Sequence, residues 1–440
     1  MKRKEIRNST SQDMPEYRKY LGKRLLLLGN NIASIEILQI AKRLGAYTVA
    51  VDNTPCSPLK NIADKTYAIN TADTDALLKL AKSEKIDAVM AGVSEFNIEK
   101  ALTLSELLKL PFYTTRKQWN IMSNKEMFKK MCGKFDISVV DKFHLDSKFR
   151  EKDLANIAYP VIIKPVDSSA GRGISVCKNE GELRVGYAKA LLYSERKRII
   201  FEKYMTSDQV GVYYIIQDGY IRLSAMVDKY FFIQEGVASV PLIYIYPSKH
   251  LIDFQKDDNQ KFKNMLKYLK IKNGFLFIQG FFENGKIIPF ESGYRMPGSK
   301  ADKCIQAVNG INSLEMLVRF SLSGEMSGWD LKRDNNPNFK KPAICLHLIL
   351  KPGKIKKISG LDEILKYPEV IDCEQIRFEG DTIDDAVIGT LHQLLLRIHL
   401  IADTKKLLIG LIRKIKNKLS VLDENGKNML FDIDVEKYIQ

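Results

Sequence analysis

The chain has 440 residues, 45% of them hydrophobic and 28% charged. That excludes a disordered chain and exceeds one ordinary core, so two to four globular domains are expected. The formal net charge of +16 is spread along the whole length with no aromatic–basic platform or recognition-helix pattern, which argues against a specific nucleic-acid partner.

In chain order, residues 1–23 form a basic, polar N-terminal extension without the apolar core of a signal peptide, which points to a cytoplasmic protein. No apolar stretch approaches the roughly 18 residues of a membrane-spanning helix. From Lys23, "KRLLLLGNNIASIEILQIAKRLGAYTVAVDNTP" reads as a buried strand, a turn, an amphipathic helix ending at Gly45 and a strand ending at Asp52. "KTYAIN", "DTDALLKLAKSEK" and "IDAVMAGV" continue the alternation, so residues 24–114 are expected to form a parallel α/β domain. Gly29 and Asp52 suggest a dinucleotide site, but the full G-x-G-x-x-G fingerprint is absent.

A second region, residues 115–335 with a lid at about 155–205, opens on "SNKEMFKKMCGKFDISVV", where Ser123 is the expected N-cap, with Glu126 three residues on and Lys125 near the helix start. "YPVIIKPVDSSAGRGISV" gives a strand, a small-residue loop and a second strand. Antiparallel strands follow, with turns expected at Asp218-Gly219 and Asn284-Gly285. The result is an α/β start followed by an α+β module. Residues 336–440 make a smaller C-terminal α+β domain, in which "GDTIDDAVIGTLHQLLLRIHLIADTKKLLIGLIRKI" reads as helical and places His392 and His399 on one helix as packed or surface residues. In "KKLLIGLIRKIKNKL", Leu408, Ile412, Ile415 and Leu419 share one face, favouring a packed helix over one lying on a membrane. The six scattered cysteines (Cys56, Cys132, Cys177, Cys304, Cys345, Cys373) read as reduced, mostly buried thiols.

The loop Ser168, Ser169, Ala170, Gly171, Arg172 and Gly173 would let backbone N–H groups approach a phosphate. Alone it could equally be a hairpin turn. Lys164, at the end of the strand before it, and Lys125 upstream add cations suited to phosphate oxygens. "IIFEKYM" ends in Glu202, Lys203 and Tyr204, where an adenine edge could pair, and Asp208 and Gln209 follow within reach of a ribose. Glu291 lies across a hairpin from Gln279, a sparse oxygen set for magnesium; the alternative is an edge-strand acid paired with Arg295.

These residues together resemble the ATP-grasp ligases, in particular single-module proteins similar to the carbamoyl-phosphate synthetase large subunit and biotin carboxylase branch. The resemblance implies an ATP-grasp fold with an N-terminal Rossmann-like pre-ATP-grasp domain, using ATP and Mg²⁺. By likeness, Lys125 and Lys164 hold phosphates, "SSAGRG" is the covering loop, Glu202 and Tyr204 form the adenine hinge, and Gln209 takes the ribose position. Gln279 and Glu291 match two magnesium positions, and Arg295 stands beside the transferring phosphate. Two departures stand out: the usual E-x-N-x-R reads Glu291-Ser292-Gly293-Tyr294-Arg295, and the ribose acid is the amide Gln209, with Asp208 beside it. The implied activity is activation of a carboxylate as an acyl phosphate, followed by attack of an amine or thiol. A binding-only protein and a bicarbonate-activating enzyme stay open, as do the identities of the small-molecule carboxylate and amine, and whether the chain forms a homodimer.

Overall fold

The computed structural model describes residues 20–54, 57–145, 149–166, 173–233 and 239–439. Strands β1 (Arg24–Leu28), β2 (Tyr47–Val51), β3 (Lys65–Tyr67) and β4 (Ala88–Ala91) form a parallel sheet in the order β3-β2-β1-β4. Leu25 to Leu28 are fully buried, as expected of a parallel strand covered on both faces. Asp73 caps the helix Thr74–Ser83 by accepting from the Ala76 amide. Gly29 (φ +74°) packs on Asn97, whose Nδ2 would lie 2.2 Å from any Cβ at that position, so close packing accounts for this glycine.

A smaller antiparallel sheet follows, ordered β5-β8-β6-β7, from β5 (Lys142–Phe143), β6 (Val161–Pro165), β7 (Ser175–Cys177) and β8 (Ile199–Lys203). Its Val161, Ile163 and Phe201 pack with Leu183 and Ala190 of the helix Glu180–Leu192. By the two-residue alternation of a strand, Ile162, Lys164 and Glu202 point to the opposite face.

The largest sheet has eight strands. It takes β9 (Asp208–Gln217), β10 (Tyr220–Phe232), β11 (Val240–Tyr246), β12 (Gly274–Glu283), β13 (Lys286–Gly293), β14 (Ala343–Ile349), β16 (Val370–Gln375) and β18 (Leu394–Ile401) in the order β13-β12-β9-β10-β11-β14-β18-β16. Strands from both sides of residue 335 therefore pair in one sheet. Both tight hairpins occur where expected: Asp218 and Gly219 have φ +50° and +82°, and Asn284 and Gly285 have φ +51° and +75°, the left-handed pairs that two-residue turns demand. One face of the sheet, with Tyr213, Val227, Tyr244, Phe277 and Cys345, packs against the helices Ser34–Arg43, Ala301–Asn309 and Ser313–Ser323. The other, with Val212, Tyr214, Met226 and Ile278, covers the helices Leu251–Lys256 and Asp258–Tyr268. A three-stranded sheet, β17 (Thr382–Ile383), β15 (Gly353–Ser359) and β19 (Ser420–Asp423), lies near the C-terminus.

Two sequence expectations are corrected. The segment read as a helix through His392 and His399 is instead strand β18, with His399 on it and His392 in a preceding helical turn. It is buried on both faces, so its apolar run carries no period of two to distinguish it from a buried helix. Asn124, not Ser123, caps the helix Lys125–Gly133, accepting from the Glu126 and Met127 amides, while Ser123 ends the preceding helix. Cys373 is only half-buried, whereas Cys132, Cys177, Cys304 and Cys345 are free and buried; Cys56 lies outside the described residues. The basic C-terminal helix Lys405–Lys418 packs Leu408, Leu411, Ile412 and Ile415 into the core around β14 and β18. Among the described residues no helix is long and apolar enough to cross a membrane.

Candidate active site

The small sheet brings together charges far apart in sequence. In the β6–β8 register Ile162 faces Glu202 and Lys164 faces Ile200, so Lys164 and Glu202 are diagonal neighbours on one face. Lys164 Nζ lies 2.6 Å from Glu202 Oε2, and the other carboxylate oxygen accepts from Lys129. Lys129 lies one turn beyond Lys125 on the Asn124-capped helix, at the spacing that shares a helix face. All three side chains are nearly enclosed. Burial and the neighbouring Lys164 ammonium push Lys129 down to about 8. Burial alone would raise Glu202, but Lys164 and Lys129 outweigh it and hold the carboxyl below its usual value. Two ammonium groups share one carboxylate, leaving a local excess of one positive charge.

The large sheet supplies the opposing surface. Gln279 and Glu291 are direct cross-strand partners on β12 and β13. The register then slips, because Gly280 pairs with Pro289 and Phe290 is the extra residue of a β-bulge. Lys164 Nζ stands 5.8 Å from the centre of the Phe290 ring, so the small sheet's charges face the large sheet at the bulge. Glu291 has no hydrogen-bond or ion-pair partner among the described residues, a position suited to an incoming cation.

Lys229 of β10 points to the same place: its Nζ donates to Gln279 Oε1 at 2.9 Å and lies 5.0 Å above the Tyr244 ring. A Cβ at Gly211 would sit 2.9 Å from Lys229 Cε, so the glycine gives this side chain its path across β9. Burial drives Lys229 down to about 8, with Glu291 partly opposing it.

Beyond Glu291 the geometry corrects one reading and explains another. Arg295 pairs with Glu95 at 2.9 Å and donates to the Met296 carbonyl at 3.0 Å, instead of pairing with Glu291. The missing amide at Gly293 has a steric cause: a Cβ there would lie 2.3 Å from Phe277 Cζ. The Phe277 ring fills that room and carries the Arg295 guanidinium 5.1 Å above its centre.

The adenine and ribose candidates lie at the strand ends. Lys203 N donates to Asp141 O and Tyr204 N to Pro160 O, both at 3.0 Å, so both hinge amides are spent within the protein. Asp208 binds Lys249 at 2.7 Å and His250 at 2.8 Å, and His250 stacks on Phe282 with ring centres 4.3 Å apart. Burial would raise the Asp208 carboxyl, but Lys249 and the His250 hydrogen bond outweigh it and hold the group below its usual value. Gln209 is the cross-strand partner of Lys229. Ser168, Ser169, Ala170, Gly171 and Arg172 lie outside the described residues. Gly173 is in the left-handed region at φ +76°, where a Cβ would meet Pro165 Cγ at 2.8 Å and Tyr193 Cβ at 2.9 Å.

Lys129, Lys229 and Phe277 were not singled out for these roles from the sequence. The four-residue spacing from Lys125 was the available sign for Lys129. For Lys229 it was a lone cation within the apolar run "LSAMVDKYFF". The same sheet face continues into a buried polar row on β14, β18 and β16, where Cys345 faces His399 and His399 faces Asp372. Asp372 also receives Lys300 at 2.7 Å. Burial opposes the His399 cation, but Cys345 and Asp372 outweigh it and raise the group to about 10.

Residues 124–257 match the family model "Carbamoyl-phosphate synthase L chain, ATP binding domain". A formate-dependent phosphoribosylglycinamide formyltransferase from Sulfurisphaera tokodaii is 29% identical over 192 residues, 42% of this chain and 48% of that protein. The chain thus spans about half the length of the curated relatives it matches. Among solved structures, the L-amino acid ligase from Bacillus licheniformis superposes with a TM-score of 0.76 at 17% identity, covering 92% of this chain and all of that one. The biotin carboxylase domain of 2-oxoglutarate carboxylase from Hydrogenobacter thermophilus, solved with MgADP, ADP and bicarbonate, gives 0.72 at 18% identity, covering 90% of each. At these identities the structural likeness establishes the fold.

Proposed function

We propose that this chain, which has the ATP-grasp fold and whose residues 124–257 match the carbamoyl-phosphate synthase ATP-binding domain, is an ATP-dependent carboxylate–amine ligase working through an acyl phosphate. The observation that carries this reading is the approach of Lys164 to Phe290. It sets a surface with surplus positive charge against the oxygen donors of Gln279 and Glu291, as a polyphosphate chain between the two sheets would require.

In this reading Lys125, Lys129 and Lys164 bind phosphate oxygens, and the surplus charge over Glu202 is neutralised by the nucleotide. With the Lys203 and Tyr204 amides spent, the adenine edge takes the next amide, Met205 N–H, which has no protein partner among the described residues. Asp208 and Gln209 stand on the ribose side, and residues 168–173 cover the phosphates. Glu291 and Gln279 fit one magnesium ion, whose oxygen preference they meet and which would neutralise phosphate charge. Among the described residues no group of three or more His, Cys, Asp or Glu side chains is placed to hold a metal ion, so phosphate oxygens would have to complete the shell.

The substrate carboxylate oxygen attacks the γ-phosphorus as the bond to the β-phosphate oxygen breaks and ADP leaves. The amine then attacks the acyl carbon, loses a proton, and inorganic phosphate departs. Lys164 neutralises charge on the transferring group, and Arg295, held by Glu95, flanks it. Water must be kept from the acyl phosphate, which the covering loop would do.

The test screens ADP and phosphate release against a panel of carboxylates, bicarbonate included, each with and without amines. Release should require a carboxylate and should yield an amide-type product with an amine. Lys164→Ala should lower turnover by about 10² to 10³, the usual effect of losing one preorganised donor. Nucleotide binding without carboxylate-stimulated turnover across the panel would refute the ligase.

A further inference from the structure

We propose that the Lys229 ammonium takes the place of a second divalent cation at the nucleotide site, so that this chain holds one metal ion where an intact acceptor set would hold two. The inference rests on the nucleotide-binding reading above and goes beyond it. Three observations converge on it.

The first is position. Lys229 Nζ is on Gln279 Oε1 at 2.9 Å, the oxygen that a metal at this end of the sheet would need. That amide oxygen has two acceptor sites; the ammonium takes one, leaving a single site for the one ion shared with Glu291 and none for a second. The second is the lost ligand. Gly293 offers no side-chain oxygen, and the Phe277 ring occupies the room one would need, with three ring carbons within 3.1 Å of a Cβ there.

The third is the cost of placing Lys229 here. It is 93% enclosed, yet forms no ion pair among the described residues, and its one hydrogen bond is to a neutral amide. A buried ammonium with unused N–H donors is unfavourable unless an anion completes its shell. Glu291, on the adjacent strand pair, supplies part of that field, and a phosphate oxygen would supply the rest. Gly211 keeps the path of the side chain clear, so the backbone of β9 accommodates the lysine. Lys229 is thus a tethered cation in a site whose second metal has lost its seat.

The experiment counts metal, independently of turnover. The full chain is saturated with a non-hydrolysable ATP analogue and titrated with Mn²⁺, free ion being followed by electron paramagnetic resonance. One Mn²⁺ per bound analogue is expected; two would overturn the inference while leaving the nucleotide-binding reading intact. No analogue binding at all would overturn both. A second arm rebuilds the seat: Phe277→Ala with Gly293→Asn should still bind one Mn²⁺ while Lys229 is present, and two when Lys229→Gln is added. If that triple variant does not fold, Lys229→Met alone decides: it should keep one Mn²⁺ and weaken the analogue about tenfold or more, a loss of about 1.4 kcal/mol or more. Unchanged analogue affinity in Lys229→Met would overturn the inference.

Discussion

Replacing Glu202 by glutamine removes the one carboxylate between two buried ammonium groups. The native trio carries two positive charges and one negative; Glu202→Gln leaves two positive charges, and Lys129→Met leaves a neutral pair. The ammoniums contact opposite oxygens of one carboxylate, so they stand roughly 5 Å apart, and at an effective dielectric of about 20 their repulsion is about 3 kcal/mol. Breaking a buried pair by deleting one partner costs about 3–5 kcal/mol, so Glu202→Gln should lie in that range near neutral pH and Lys129→Met well below it. The double variant Lys129→Met/Glu202→Gln should recover about 3 kcal/mol relative to Glu202→Gln alone. Because Glu202 raises Lys129 in the native protein, the ammonium in Glu202→Gln loses its proton below the native value of about 8, so the gap is widest at acidic pH and narrows as pH rises. Urea unfolding of the four proteins measures all of this. A double variant no more stable than Glu202→Gln would refute the charge argument.

Other consequences are read separately. Gly293→Ala should destabilise the fold by about 1–3 kcal/mol through overpacking against Phe277, and Phe277→Ala in the same chain should recover part of that, as thermal melts would show. His399 is raised from its ordinary 6.5 to about 10, so its contribution to stability is fully present below pH 6.5 and disappears as pH rises through 10. Wild type should therefore lose its advantage over His399→Gln between neutral pH and about pH 10, and parallel urea midpoints that never converge would contradict this.

Much of the framework was legible because local rules and tertiary structure agreed. The Leu25–Leu28 run and the two turns at Asp218-Gly219 and Asn284-Gly285 are each specified by their own residues. Lys164, Glu202, Gln279 and Glu291 were placed on strands that do bring them to facing surfaces. What escaped depends on contacts between distant segments. Lys125 and Lys129 share one helix face and differ by one turn, and which turn meets β8 is fixed by packing. Strand β18 has no alternation because both faces are covered. The empty side chain at Gly293 was visible as a departure, but its cause, the Phe277 ring, lies one strand away.

The central claim is that a carboxylate takes the γ-phosphoryl group of ATP between the two sheets. The most direct measurement uses any carboxylate that stimulates ADP release, labelled with heavy oxygen in its carboxyl group, with mass analysis of the released phosphate. An acyl phosphate requires one labelled oxygen to appear in each phosphate, with hydroxylamine trapping the activated acyl group as a hydroxamate. Carboxylate-stimulated ADP release that yields unlabelled phosphate and no hydroxamate would contradict the account.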